Sequence, residues 1–233
     1  MQPETSGADL ARPRMVVVAG PPGSGKTTRF PVAEFGVDSF NADNRAAELN
    51  AGSFHGIAKG IRSQVNLEFQ KWILEHISAR RSLAIETTLR SEVTFEQAQL
   101  AREHGFRTVL YFVTPGSVEE CVRRIKARAY RGGHSASEEL VREIYQKSTR
   151  NLLTALDFQA SGMDRVEIYD NSANLAEERD VQRILGIRQG RATYLAQDIP
   201  KWLDSLLRGT KFEIEAVREF LDRREEDTLD LDR

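Results

Sequence analysis

A glycine-rich run that ends in lysine and threonine is the stretch whose residue types and spacing point most clearly to chemistry. Four residues separate Gly20 from Gly25, and Lys26 and Thr27 follow directly. In loops of this pattern, backbone N–H groups surround the phosphates of a nucleotide, the lysine reaches the β- and γ-phosphates, and the hydroxyl coordinates Mg²⁺. The run therefore predicts a site for ATP and Mg²⁺, with Thr27 as the metal ligand. The residues expected to contact the nucleotide here are Gly23, Ser24, Gly25, Lys26, Thr27 and Thr28.

Two carboxylates stand at or just beyond the ends of short apolar runs. Asp43 follows residues 37–41 and is a candidate to accept the proton of an attacking hydroxyl, as a base does in phosphoryl transfer. Its alternative role is to cap a helix over residues 44–50. Glu86 ends the run 83–86, and the carboxyl ends of parallel strands line ligand sites, so Glu86 is a candidate to hold a substrate hydroxyl or the water shell of the metal. The alternative is a surface pair between Glu86 and Arg90.

A cationic stretch precedes a pair of glycines. Its positive side chains are Arg123, Arg124, Lys126, Arg128 and Arg131, and Gly132-Gly133-His134 follows. Five positive charges without an intervening acid repel one another, and a triphosphate would relieve that repulsion. The glycines offer a hinge for a closing lid, with His134 as a hydrogen-bond donor on it. The alternatives are a solvated helix face and a structural or surface histidine.

These residues need a scaffold in which strands and helices alternate. Strands are predicted over residues 15–19, 37–41, 83–86, 106–113 and 166–169, and helices over 57–80, 92–104, 117–130 and 137–158. The alternation predicts an α/β fold, a three-layer P-loop NTPase sandwich with a parallel five-stranded sheet and a helical lid. We expect residues 1–13 to be disordered, residues 14–186 to form the P-loop domain, and residues 187–233 to form a hairpin and a helical extension packed on it.

The composition excludes several classes of function. The net charge of −2 argues against a nucleic-acid partner. The one cysteine, Cys121, cannot form an internal disulfide and is expected to be a small core residue. The early apolar run over residues 15–19 is too short for a signal sequence or a membrane span, which predicts a cytoplasmic location and no membrane partner.

Five segments together resemble one family. In order along the chain they read "GPPGSGKTT", "NADNRAAELN", "AIETTLRS", "RGGHSASEELVREIYQKSTRNL" and "YDNS", and they span about residues 14 to 172. They are similar to segments of the zeta-toxin-like P-loop kinases. The resemblance implies transfer of the γ-phosphate of ATP to a hydroxyl of a small molecule. In the family's best-studied members the acceptor is the sugar of UDP-N-acetylglucosamine, and an antitoxin protein is an implied partner.

The resemblance also assigns roles to single residues. Asp43 matches the general base, and Glu86, Thr88 and Arg90 match residues that grip the acceptor. The arginines that match the phosphate clamp are Arg128, Arg131 and Arg142. Asn171 lies in a turn, Asp170-Asn171-Ser172, that matches the one near the adenine; the alternative is a plain Asx turn.

Three fates of the γ-phosphate compete, and the sequence favours transfer. A switch GTPase would carry an Asn-Lys-x-Asp motif, and a transport or motor ATPase would carry a long apolar strand ending in Asp-Glu; the sequence has neither. A kinase needs a phosphate loop, a base, an acceptor pocket and a cationic lid, and each has a candidate. We therefore predict a kinase with Asp43, Lys26 and Arg128 as catalytic residues. A regulatory ATP-binding module and a nucleic-acid end kinase remain alternatives.

Overall fold

The computed structural model of the chain describes residues 12–130, 136–172 and 181–231. The predicted lid residues Arg131 and His134 lie outside these ranges. The described residues form one sheet of seven strands in the order β2-β3-β1-β4-β5-β6-β7. The strands are β1 (Arg14–Ala19), β2 (Asp38–Phe40), β3 (Leu83–Thr87), β4 (Arg107–Thr114), β5 (Arg165–Asp170), β6 (Gln182–Arg188) and β7 (Arg191–Leu195).

The first five strands are parallel, as the alternation of strands and helices predicts. The prediction of five strands was nevertheless wrong, because β6 pairs antiparallel with β5 and carries β7 into the same sheet. The local pattern reveals a hairpin near residues 187–196, but pairing with β5 depends on tertiary contacts that this pattern does not encode. The expected boundary after residue 186 lies inside β6.

The helices of the described part connect and cover these strands. They are α1 (Lys26–Arg29), α2 (Ala42–Leu49), α3 (Lys59–Ser78), α4 (Val93–Glu103), α5 (Val118–Tyr130), α6 (Glu138–Leu156), α7 (Phe158–Ser161), α8 (Lys201–Leu207) and α9 (Ile214–Leu231). A 3₁₀ turn covers Val32–Phe35. None of the helices in the described ranges combines the length and the apolar character needed to cross a membrane.

The main core lies on one face of the sheet. Apolar side chains of β1, β3, β4 and β5 meet those of α3, α4 and α6 there, and Leu203, Leu207 and Val217 of the two C-terminal helices join the same cluster. A smaller cluster on the other face contains Val16, Val18 and Ala84. Burial at this scale is the dominant stabilising contribution to the fold.

The order of the strands determines where a ligand can bind. Strand β1 lies between β3 and β4, so the chain leaves the centre of the sheet in both directions. Ligands of parallel α/β sheets bind at the carboxyl ends of the strands beside such a switch point. The glycine-rich run, which directly follows β1, therefore lies at the expected place.

Candidate active site

The glycine-rich loop is closely packed against three other segments. Gly20, Gly23 and Gly25 have φ values of 146°, 78° and 89°, which favour glycine. A Cβ atom at Gly20 would overlap the carbonyl oxygen of Val113, and one at Gly23 would overlap that of Cys121. A side chain is therefore excluded at Gly20 and at Gly23 by the neighbouring carbonyl groups as well as by the backbone conformation.

The side chain of Asn171 is hydrogen-bonded to the backbone of the glycine-rich loop. Its side-chain Nδ2 donates to the carbonyl oxygen of Ser24 at 2.8 Å, and its backbone N–H donates to Thr114 O at 2.9 Å. The guanidinium of Arg124 donates to Asn171 O at 2.8 Å. The predicted nucleotide-binding residue Asn171 is thus buried against the loop backbone, where it positions the residues that would contact phosphate.

Lys26 and Thr27 both contact Glu86. Helix α1 begins at Lys26, whose Nζ lies 3.8 Å from Glu86 Oε1, and the Thr27 hydroxyl donates to the same oxygen at 3.0 Å. The register of the sheet explains this contact, because Glu86 pairs with Val18 one residue before the end of β1. Glu86 faces the phosphate loop in this arrangement, whereas the alternative role placed it in a surface pair with Arg90.

Three other predicted residues influence the pKa of Lys26. Burial is the largest influence and lowers the pKa of Lys26, while the nearby carboxylates of Glu86 and Asp43 raise it and the Arg128 guanidinium lowers it. Asp43 and Arg128 are therefore close enough to act on the Lys26 ammonium. Glu86, Asp43 and Arg128 are thus the predicted residues whose charges act on Lys26.

Asp43 is not the cap of its helix. Helix α2 begins at Ala42, and Asn41 caps it by accepting a hydrogen bond from the backbone N–H of Asn44 at 3.0 Å. The alternative role for Asp43 was therefore wrong. Its exposed carboxylate lies in the first turn of α2, two residues beyond the cap position held by Asn41.

The oxygen atoms around Thr27 fit a magnesium ion bound with a nucleotide. Mg²⁺ prefers hard oxygen ligands and is held in such sites by one or two protein groups together with phosphates and water. The Thr27 hydroxyl is exposed, and Glu86 Oε2 is buried without a hydrogen-bond partner in the structure. Thr27 as a direct ligand and Glu86 on the water shell satisfy the chemistry that the ion needs.

The predicted acceptor residues Thr88 and Arg90 flank a buried residue with an unusual backbone. Leu89 between them is fully buried and has a φ of 55°. Asn151 of α6 donates from Nδ2 to Leu89 O at 2.9 Å, and Leu89 N–H donates to Thr87 Oγ1 at 3.2 Å. Non-glycine residues in this region are costly and persist where the surroundings hold them. Sequence reasoning missed Asn151, because an asparagine within a helical pattern gives no signal of its partner.

The cationic stretch has more acidic partners than the sequence suggests. Arg123 and Arg124 both pair with Glu120, at 2.5 Å and 2.7 Å, and Lys126 pairs with Glu138 of α6 at 2.7 Å. No acid lies between these residues in the sequence, but acids from the first turns of α5 and of the neighbouring α6 pair with three of them, so the expected mutual repulsion is partly offset within the protein. Arg128 is the member of the stretch whose charge acts on Lys26.

Two further residues have surroundings that decide their roles. Arg142, which the resemblance places in the phosphate clamp, pairs with Glu138 at 2.8 Å and with Glu119 at 3.0 Å. Cys121 is buried, and burial raises the pKa of its thiol to about 12. The thiol is protonated at neutral pH, in keeping with its predicted role as a core residue.

The sequence profile of the AAA_33 family, described as an AAA domain, matches residues 15–152, which is more than half of the chain. The chain belongs to the AAA_33 family. The matched residues include the phosphate loop, Asp43, Glu86 and Arg128. An uncharacterised protein of Haemophilus influenzae (strain ATCC 51907 / DSM 11121 / KW20 / Rd) is 29% identical over 138 residues, which are 57% of this chain and 92% of that protein.

Two solved structures share the fold of this AAA_33 chain. A chain of the AvrRxo1-ORF1:-ORF2 complex with ATP superposes with a TM-score of 0.61 at 16% identity, over 80% of this chain and 61% of that one. A chain of the PezAT toxin-antitoxin system of Streptococcus pneumoniae superposes with a TM-score of 0.55 at 17% identity, over 88% of each chain. The predicted resemblance to zeta-toxin-like P-loop kinases is confirmed at the level of the fold. The chain spans less than two thirds of the AvrRxo1 chain that it matches.

Proposed function

We propose that this AAA_33 protein is an ATP- and Mg²⁺-dependent kinase that phosphorylates a hydroxyl group of a small molecule. The contact of Glu86 with the buried Lys26, together with the influence of the Asp43 and Arg128 charges on the same ammonium, carries the proposal. One lysine at the end of a phosphate loop is shared by all P-loop enzymes. A carboxylate and a second cation beside it supply the two further elements that transfer to a hydroxyl requires.

The proposed reaction assigns one task to each side chain. The Asp43 carboxylate accepts the proton of the acceptor hydroxyl, whose oxygen forms a bond to the γ-phosphorus while the bond from that phosphorus to the β-phosphate oxygen breaks and ADP leaves. Lys26 and Arg128 stabilise the negative charge of the transferring group, and an arginine in this role contributes on the order of 10³-fold or more in rate. When bound through Thr27, Mg²⁺ neutralises charge on the β- and γ-phosphate oxygens.

The chemistry of the acceptor loop favours a polar substrate with several hydroxyl groups. Glu86 accepts hydrogen bonds, Thr88 donates or accepts them, and Arg90 is a cation that suits a phosphate or diphosphate. We infer a nucleotide sugar or an amino sugar as the acceptor class, with UDP-N-acetylglucosamine as the first candidate. The fold shared with a chain of the PezAT toxin-antitoxin system supports an antitoxin protein as the partner.

A phosphate-transfer screen tests the proposal. The protein is incubated with [γ-³²P]ATP and Mg²⁺ against nucleotide sugars, dinucleotides and amino sugars, and one of these is expected to become labelled. In Asp43→Asn the rate of transfer should fall about 10²- to 10⁴-fold because the base is lost. The affinity for ATP, measured by calorimetry, should stay within about twofold because Asp43 is not a phosphate ligand.

Asp38→Asn is the matched control. Asp38 begins the strand before Asp43 and pairs with His76 at 3.1 Å, away from Lys26. It should leave transfer unchanged. Transfer by Asp43→Asn at the wild-type rate would remove Asp43 from the mechanism. ATP hydrolysis that no acceptor accelerates would instead favour the regulatory ATP-binding module.

A further inference from the structure

The C-terminal helix α8 touches the segments that hold the phosphate loop. Trp202 in its first turn donates from Nε1 to Asp170 Oδ1 at 3.0 Å. The family profile ends at residue 152 and assigns nothing to this helix. We propose that Trp202 is a positioning residue for the phosphate loop, which it controls through the turn formed by residues 170–172. The proposal rests on the proposed function in its use of ATP as the ligand.

The first step runs from Trp202 to the turn. Asp170 Oδ1 receives the indole N–H and also lies 2.6 Å from the Ser172 hydroxyl. That hydroxyl lies 2.5 Å from Pro115 O, in the segment that follows β4. The indole N–H therefore holds the carboxylate at the base of the turn. A hydrogen bond between a donor and a charged acceptor is stronger than one between neutral groups.

The second step runs from the turn to the phosphate loop. Asn171 lies between Asp170 and Ser172, and its side chain donates to Ser24 O at 2.8 Å. A Cβ atom at Gly25 would overlap the same amide group, so the loop and Asn171 are in close contact. Any rotation of the turn moves the group that fixes the backbone at Ser24. The backbone N–H groups beside it are those that would receive phosphate.

Packing fixes the position of the indole. Gly116 has a φ of 71°, and a Cβ atom there would overlap the Trp202 ring. Trp202, Lys201, Arg123 and Ser172 also line a cavity of about 480 Å³. The ring is thus partly buried, with Gly116 beside it and the main core cluster packed against it.

The first test compares two identical substitutions. Trp202→Phe keeps a ring and removes the N–H donor. Trp72→Phe is the control, because Trp72 is the second of the two tryptophans of the chain. Trp72 lies in α3 and packs on Phe40 of β2. ATP affinity measured by calorimetry should fall about 10-fold in Trp202→Phe, which corresponds to about 1.4 kcal/mol. It should change less than twofold in Trp72→Phe.

A double-mutant cycle tests the path. Asn171→Ala should weaken ATP binding by itself, and adding Trp202→Phe to it should weaken binding by less than a further twofold. Independent effects that multiply in the double variant would show that Trp202 does not act through Asn171, and the proposal would fail.

Amide hydrogen exchange of the protein without nucleotide separates this proposal from the proposed function. Trp202→Phe should speed exchange over residues 20–28 and 170–172, and Trp72→Phe should not. A wild-type protein that binds no ATP would end the proposed function, while the exchange experiment would still decide the role of Trp202. If these segments exchanged in Trp202→Phe at the same rate as in Trp72→Phe, the proposed role of Trp202 would be wrong.

Discussion

Lys26 lies in a buried position that disfavours its positive charge. Burial lowers the pKa of Lys26, and the nearby carboxylates of Glu86 and Asp43 partly offset this effect. Glu86 is therefore the present partner of an ammonium group that a triphosphate would neutralise more fully. Part of the affinity for a triphosphate therefore comes from a lysine charge that the protein alone stabilises poorly.

This view predicts opposite effects of Lys26→Met on binding and on stability. The affinity for ATP should fall at least about 100-fold, because a charge-assisted contact inside the site is lost. The free energy of unfolding should stay the same or rise, because burial opposes the lysine charge and Glu86 keeps the hydrogen bond that it accepts from Thr27. Calorimetry and thermal unfolding measure the two quantities.

Lys71→Met provides the comparison for Lys26→Met. Lys71 is exposed on α3 and lies 3.8 Å from Glu75. Neither quantity should change measurably in this variant, since exposed ion pairs contribute little. A strong loss of stability in Lys26→Met would mean that the ammonium is well satisfied in the protein, against the proposed balance.

Single residues were predictable where the chemistry is local. The phosphate loop could be identified from its spacing, because its glycines, its lysine and its threonine are neighbours in the sequence. Asn151 and Trp202 could not, since their partners Leu89 and Asp170 are 62 and 32 residues away in the sequence. Nothing in the residues around an asparagine or a tryptophan indicates which distant oxygen it will meet.

At the scale of elements, the loop after β3 depends on a neighbouring helix. Leu89 is held in its left-handed conformation by burial and by the amide of Asn151 in α6. The side chains of Thr88 and Arg90 are attached to the backbone directly before and after Leu89. The helix therefore determines the direction in which the proposed acceptor residues project.

Asn151→Leu should damage acceptor binding more than ATP binding. The substitution keeps the size of the side chain and leaves the buried carbonyl of Leu89 without a donor, which costs about 1–3 kcal/mol of stability. The KM for the acceptor should rise several-fold, while the affinity for ATP stays within about twofold. Steady-state kinetics with both substrates checks this expectation.

Gln146→Leu on the exposed side of the same helix is its control. It should alter neither parameter. An equal rise in the KM for ATP and for the acceptor in Asn151→Leu would indicate a general loosening of the site and would contradict a specific role in the acceptor loop.

The helices and strands themselves were largely predictable. The long helix expected over residues 57–80 is α3 (Lys59–Ser78), and the strand expected over 37–41 is β2 (Asp38–Phe40). The periodic spacing of apolar residues within each segment predicts whether it forms a helix or a strand. Strands β6 and β7 were not predicted as part of the sheet. The antiparallel pairing of β6 with β5 depends on contacts between distant segments, which periodicity within one segment does not encode.

At the scale of the whole molecule, the C-terminal helices belong to the same core as the phosphate-loop sheet. Leu203, Leu207 and Val217 lie in one cluster with residues of β1 and β4. Their apolar pattern predicted a buried face packed on the P-loop domain. The structure places that face in the core of the same chain.

Leu207→Ala should therefore destabilise the entire protein. Leu207 is fully buried, and removing such a side chain costs about 2–5 kcal/mol through lost burial and the cavity left behind. Chemical denaturation measures the change. Leu67→Ala, at a leucine that is 69% exposed, should change stability by less than about 0.5 kcal/mol. A small effect of Leu207→Ala would mean that α8 is only loosely attached.

The contribution of α8 and α9 to this core also has a consequence for how the protein is made. Ribosomes add about 5–20 residues per second and release the N-terminal part first. The phosphate loop is synthesised early, yet the side chains that close the core follow only at residues 203–217. A nascent chain arrested before them would leave this part of the core open to chaperones and proteases, so residues 203–217 must be synthesised before a nucleotide can find a finished site.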